Sequence, residues 1–301
     1  MPIEREAPLR TDLGEDLRCP AGRTGIAVAR IRREVAIERL LLRLLDAAPD
    51  RWVRSDDWRL EYRVDGPAAA YEASRVVSEP TRAAVDAALR QATEHQVLQP
   101  IQLAVHARDR APQVALGPAL AYRLEAFDRD GEIGEVDLIV GFTFPPADEI
   151  EWLASLDLST DQDGSTPRIP TRSRVTQVAA RLGTFTGRTS RFPACADLLT
   201  IARYAPNLKC TANQMHRALD RVWQWALTPS WPLAVPAPPP WWADEYRREA
   251  ADLGLDRAIA VGHACAAALF DPILSGTVPP RATWNATELR WDPPRRLRRP
   301  A

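Results

Sequence analysis

The chain has 301 residues, of which 46% are hydrophobic and 26% charged, with a formal net charge of −1. That length can bury the core of one large domain or two modest ones, and the balanced charge excludes a global field that would draw the chain to nucleic acid. No apolar run approaches the roughly 18 residues of a membrane span and no signal-peptide core is present, so the expected setting is cytoplasmic, with no membrane contact.

Residues 1–23 are polar, Pro-containing and without periodicity, which predicts a loose N-terminal arm. From Thr24 to Ala48 the apolar residues Val28, Ile31, Val35, Leu42 and Leu45 recur at helical spacing, and Pro49 follows. Trp58, Leu60, Tyr62 and Val64 alternate with Arg59, Glu61 and Arg63, the pattern of a half-buried strand. Residues 80–94 read as a helix opening on Pro80, and strands follow at 97–108 and 119–127. Asp128-Arg129-Asp130-Gly131 supplies turn chemistry, and Glu135–Phe142 returns as a strand. There Val136, Leu138, Val140 and Phe142 share one face, which places Asp137 and Ile139 on the other.

After a polar linker, Ser159–Pro170, the pattern turns helical. Val175, Val178 and Leu182 mark one helix, Leu198, Leu199 and Ile201 a second, and Thr211 with Gln214 opens a third through a capping box. The run Pro236–Pro240 cannot be helical and is expected to cross the helical region as an extended strap, anchored by Trp241 and Trp242. Trp231, Trp241, Trp242, Trp284 and Trp291 make up half of the ten tryptophans, and are expected to staple this block to the helices. Arg295, Arg296, Arg298 and Arg299 crowd the last seven positions, a solvated end or a contact for RNA.

Cys19, Cys195, Cys210 and Cys265 have no CxxC spacing, and they read as buried thiols. His95, His106, His216 and His263 are scattered without a ligand-type partner at i,i+4, so no histidine metal site is expected. Lys209 is the sole lysine among 39 basic residues, so chemistry that needs an ammonium has one candidate.

The order Trp231–Tyr246, two helices, Phe270-Asp271-Pro272-Ile273-Leu274-Ser275-Gly276, then Trp284 and Trp291 resembles the C-terminal part of the AbiEii-type abortive-infection nucleotidyltransferase toxins of type IV toxin–antitoxin systems. Upstream, Trp52-Val53 and Leu60-Glu61 with Arg63 fit that family's first block, and Val136-Asp137-Leu138-Ile139-Val140-Gly141 fits the strand carrying its third carboxylate. Gln177–Leu182 and Arg191–Leu198 fit two helical blocks. The resemblance implies α/β followed by α: a nucleotidyltransferase-like mixed sheet with flanking helices over 24–158, a helical domain with the Pro/Trp-rich strap over 170–291, and a basic tail at 292–301. It places catalytic roles at Asp137, Arg181 and Asp197, a metal ligand at Asp137, and the remnant of a nucleotide-binding segment at Asp56, Asp57 and Arg63.

At the motifs themselves the chain departs from the family. Asp56 and Asp57 stand where small glycines would let backbone N–H groups approach a triphosphate. At about 4 Å, each like-charge contact there would cost on the order of 1–4 kcal/mol in wet surroundings. Ser74-Arg75-Val76 replaces the Asp-x-Asp pair that would hold divalent metal, Arg181 takes a lysine place and Ala180 a glutamate place. These departures favour a degenerate relative with no cofactor, acting by binding a partner protein, such as a cognate antitoxin, or RNA in phage defence or a toxin–antitoxin pair. The alternatives are an active transferase that uses magnesium and a nucleoside triphosphate to modify tRNA or protein through a rearranged site, and a purely structural or interaction protein.

Overall fold

A computed structural model describes residues 28–56, 59–64, 77–94, 101–108, 119–128, 131–142, 145, 147–155, 166–186, 195–223 and 231–294. The chain divides into two units. One comprises residues 1–112, 118–144 and 152–171, and the other residues 113–117, 145–151 and 172–301.

The first unit is built on a seven-stranded mixed sheet. Its strands are β1 (Trp52–Asp56), β2 (Arg59–Tyr62), β3 (Gln102–Arg108), β4 (Ala119–Asp128), β5 (Gly131–Gly141), β6 (Ile150–Ala154) and β7 (Arg168–Arg172), in the order β3-β4-β5-β2-β1-β7-β6. The β2/β5 and β1/β7 pairs are parallel, whereas β1/β2, β3/β4 and β4/β5 are antiparallel. Helices α1 (Val28–Ala47) and α2 (Glu79–Glu94) accompany the sheet among the described residues. Ile37, Leu40, Leu41 and Leu44 of α1 and Val85 and Leu89 of α2 share one core with Trp52, Leu60, Leu120, Leu124, Val136, Leu138, Val140 and Ile169. Burial of that apolar surface, at about 25 cal/mol per Å², is what holds the helices to the sheet. Arg54 Nη1 meets Glu38 Oε1 at 2.6 Å, and Ser155 Oγ donates to Glu38 Oε2 at 2.8 Å, so the carboxylate buried on α1 has partners.

The expected helices and strands are present, with two corrections. The linker predicted at Ser159–Pro170 runs into the sheet: residues 168–170 belong to β7, and Arg54 of β1 lies in register with Thr171. A five-residue strand containing Pro170 offers too short an alternation to stand out against a polar stretch. The polar face predicted for β2 is also buried, since Arg59 and Glu61 are as inaccessible as Leu60.

The second unit is helical, as the resemblance implied for the C-terminal half. It contains α3 (Arg174–Phe185), α4 (Cys195–Tyr204), α5 (Ala212–Trp223), α6 (Ala243–Asp252), α7 (Ile259–Leu274) and a small hairpin, β8 (Thr283–Asn285) with β9 (Arg290–Asp292). Ser173 caps α3 through Thr176 N. The capping box at α5 is reciprocal: Thr211 N donates to Gln214 Oε1 at 2.8 Å and Gln214 N to Thr211 Oγ1 at 3.3 Å. Gly262 of α7 lies against the Tyr246 ring of α6, where a Cβ would collide with it.

Four of the five clustered tryptophans pack as expected. The Trp284 indole donates to Ala205 O at 2.8 Å and Trp291 to Leu269 O at 2.9 Å, with the two rings edge to face. Trp242 tilts against Phe185, and Trp231 stacks on His216 and meets Trp223. Trp241 is the exception: expected as an anchor, it is 79% exposed. Its neighbour fills the buried position, and the single 3-10 turn at Pro240–Trp242 directs successive side chains differently.

Cys195, Cys210 and Cys265 are buried free thiols, and Cys19 lies outside the described residues. Burial pushes the Cys195 and Cys210 thiols up to about 12 and Cys265 to about 11, with the carboxylates of Glu245, Glu249 and Asp197 adding to the first. All three therefore stay protonated at pH 8 and unreactive. Peptide mapping after brief alkylation at that pH should find these three unmodified in the native protein and fully modified in denaturant.

Candidate functional site

Strand alternation sets where Asp137 lies. Val136, Leu138 and Val140 enter the core, so Asp137 emerges on the opposite face of β5, in register with Arg123 of β4. It is 67% exposed and bonded to Arg108 Nη1 of β3 at 2.9 Å. The same Arg108 lies 3.7 Å from Glu135, which Arg123 Nε approaches at 2.9 Å, and His106 lies 3.7 Å from Glu125. The carboxylate thus belongs to a solvent-facing lattice of alternating charge across β3, β4 and β5. Exposed pairs of this kind contribute about 0–1 kcal/mol each. Arg75, the arginine of the segment that would carry the opposing ligands, lies outside the described residues together with Ser74 and Val76.

The nucleotide-segment positions fall on the β1/β2 hairpin. Asp56 closes β1 in register with Arg59, across a bulge between Arg54 and Asp56. Its side chain, and the whole of Asp57 and Trp58, lie outside the described residues. Arg63 is tied back to the start of β1: its N–H donates to Arg51 O at 2.8 Å, and Arg51 Nη1 donates to Arg63 O at 3.1 Å.

On the same face of the sheet as Asp137, the next strand carries a pair that periodicity alone did not single out. Arg59 Nε meets Glu61 Oε1 at 2.7 Å, with the Glu61 side chain 0% exposed. The parallel register sets Glu61 beside Gly141 and Arg59 beside Ile139. A Cβ at Gly141 would run into both charged groups, so any side chain there would force the ends of Arg59 and Glu61 to shift. The signal was available: opposite charges at i,i+2 of a strand share a face, where they can pair.

Arg181 and Asp197 come together in the helical unit. Arg181 Nη1 of α3 donates to Asp197 Oδ1 at 3.2 Å, and Asp197, in the first turn of α4, is buried. The carboxylate there meets both a guanidinium and the positive end of a helix. Ala180, at the place of a family glutamate, is a buried methyl of α3, and Arg191 lies outside the described residues. Asp137 belongs to the sheet unit, whereas Arg181 and Asp197 belong to the helical one.

A polar cluster that the sequence did not suggest sits at the start of α3. Arg221 of α5 forms an ion pair with Glu149, whose backbone carbonyl accepts from Ser173 N at 2.6 Å. Gln177 Nε2 donates to Arg172 O at 2.7 Å. Its contacts fix the entry into α3 and offer no nucleophile. Among the described residues no three His, Cys, Asp or Glu side chains are grouped so as to hold a metal ion, and no helix is long and apolar enough to cross a membrane.

No family model matches the sequence, and no curated protein does. Among solved structures, the chain is similar to MenT4, a nucleotidyltransferase toxin from Mycobacterium tuberculosis H37Rv, with 16% identity, a TM-score of 0.43 and 69% of each chain covered. It is also similar to JHP933 from Helicobacter pylori, with 10% identity, a TM-score of 0.41, and 84% of this chain and 96% of that one covered. At these scores and identities neither structure assigns a residue or an activity to this chain.

Proposed function

We infer that the protein is a degenerate relative of the AbiEii-type nucleotidyltransferase toxins that acts by binding rather than by metal-dependent transfer, in a toxin–antitoxin or phage-defence setting. The observation that carries this reading is the state of Asp137. It is the metal-ligand carboxylate that the resemblance retains, and an arginine two strands away in the same sheet already engages it. A cation there would have to displace Arg108 from an exposed, single carboxylate, with Ser74 and Val76 in the positions of its expected companions. The Arg181–Asp197 pair supports the same reading, since the guanidinium in the lysine place is already bonded to the acid of the next block. A protein partner is favoured over RNA. Four of the five clustered indoles are packed, which removes most of the stacking platform that single-stranded RNA would use.

Calorimetry with magnesium and each of the four ribonucleoside triphosphates tests the proposal. The expected result is no saturable heat at micromolar concentrations. A dissociation constant in the low micromolar range for any of them would overturn it and restore the active-transferase alternative.

A further inference from the structure

The chain is almost neutral as a whole, at −1, yet its charge is unevenly placed. Between Arg172 and Thr211 the sequence holds seven arginines and lysines against one acid, Asp197. That acid is buried and already bonded to Arg181, so it does little to neutralise the surface around it. Helix α3 carries no acid at all. Two of the arginines meet at one ring. Arg174, the first residue of α3, has its guanidinium carbon 5.7 Å from the centre of the Tyr204 ring, and Arg203 of α4 has its own at 5.5 Å. Both arginines and the tyrosine are half-buried, and Lys209, just beyond the turn that follows, is exposed.

Helix stability does not account for Arg174. A cation in the first turn of a helix faces the positive end of its dipole, and α3 has no acid there to offset it. Among the described residues no carboxylate pairs with Arg174. The phenol ring attracts both guanidiniums and restricts where they lie. Two like charges drawn to one ring also repel each other, and an anion that meets both relieves the repulsion. A guanidinium whose position is already restricted loses less freedom when it binds. The ligand this charge fits is a carboxylate, which accepts two parallel N–H bonds from one guanidinium. A phosphate matches the same fork, but single-stranded RNA also needs an aromatic face for its bases, and the guanidiniums already lie over the Tyr204 ring.

We propose that Arg174 and Arg203, gathered on Tyr204, form a docking surface for an acidic segment of a partner protein, whose Asp or Glu carboxylates pair with the two guanidiniums. The proposal rests on the reading that the protein acts by binding a protein. The nucleotide titration tests that reading, whereas the variants below test the surface alone, because neither arginine takes part in the Asp137 or Arg181–Asp197 contacts.

The test follows the fluorescence anisotropy of a labelled octaglutamate peptide titrated with the full-length protein, with oligouridylate of the same length as the second probe. Saturable octaglutamate binding is expected. It should weaken roughly tenfold or more in the Arg174→Gln/Arg203→Gln double variant. Arg247→Gln, which removes an exposed arginine of α6, should retain it. Arg174→Gln alone should weaken binding without lowering the melting temperature, since it takes a cation away from a helix start, and this separates lost docking from lost folding. Absence of octaglutamate binding would overturn the proposal, as would binding that the double variant retains or that Arg247→Gln weakens equally. Oligouridylate bound more tightly than octaglutamate through the same two arginines would also overturn it, since the surface would then read phosphate.

Discussion

Arg59→Met is expected to destabilise the sheet unit by about 3–5 kcal/mol, the loss that follows when one partner of a buried ion pair is removed. Arg59 and Glu61 lie on one face of β2, both buried and joined at 2.7 Å. Without the guanidinium, the Glu61 carboxylate would lose the charge that meets it at 2.7 Å in a buried place. Glu61→Leu should do comparable damage from the other side. The Arg59→Met/Glu61→Leu double variant should recover most of the loss, because two apolar chains of similar length remove the charge that makes each single change expensive. Gly141→Ala reaches the same place sterically, and at about 1–3 kcal/mol of overpacking it should be milder. Urea denaturation of the four variants is the measurement. Additive losses in the double variant would mean that the two side chains are held by separate surroundings, and the pairing argument would fail.

This pair also marks where the sequence was hard to read. Alternation placed Leu60 and Tyr62 on the core side of β2, as observed, and left the charged residues for solvent. Periodicity ranks faces by polarity, and it cannot see that two opposite charges on one face satisfy each other and tolerate burial. The same method did well where polarity and burial agree, as on β5, where the core triplet Val136, Leu138 and Val140 fixed the orientation of Asp137. It could not choose the partner of Asp137. Arg108 is 29 residues away in sequence and reaches it only because β3, β4 and β5 form a meander. Strand β7 and the β8–β9 hairpin were missed because five and three residues are too few for an alternation to register. The resemblance singled out Arg181 and Asp197 separately but not their pairing, since no spacing rule joins positions 16 apart on two helices.

Ending the chain after Leu227 should leave the helical unit unable to fold cooperatively, the largest effect expected of any change considered. The removed segment carries α6, α7 and the hairpin, and with them Val235, Trp242, Tyr246, Leu269, Phe270, Ile273 and Trp284 of a single core. It also removes backbone partners of α5, whose first N–H groups at Ala212 and Asn213 donate to Ala282 O and Pro280 O. Among point changes, Trp284→Ala should come nearest, at about 3–5 kcal/mol for the lost aromatic volume. It leaves the Ala205 carbonyl without the indole N–H that reaches it at 2.8 Å, which adds to the loss. For a unit of this size each kcal/mol lowers the melting temperature by about 2–4 °C, so a calorimetric scan would resolve the variant clearly. Trp241→Ala, one residue from a buried indole but itself exposed, should not move the transition. If Trp284→Ala melts with the wild type, or the truncated chain keeps a two-unit unfolding profile, the tryptophans do not bind this block to the helices, and a recognition surface would have to explain their clustering.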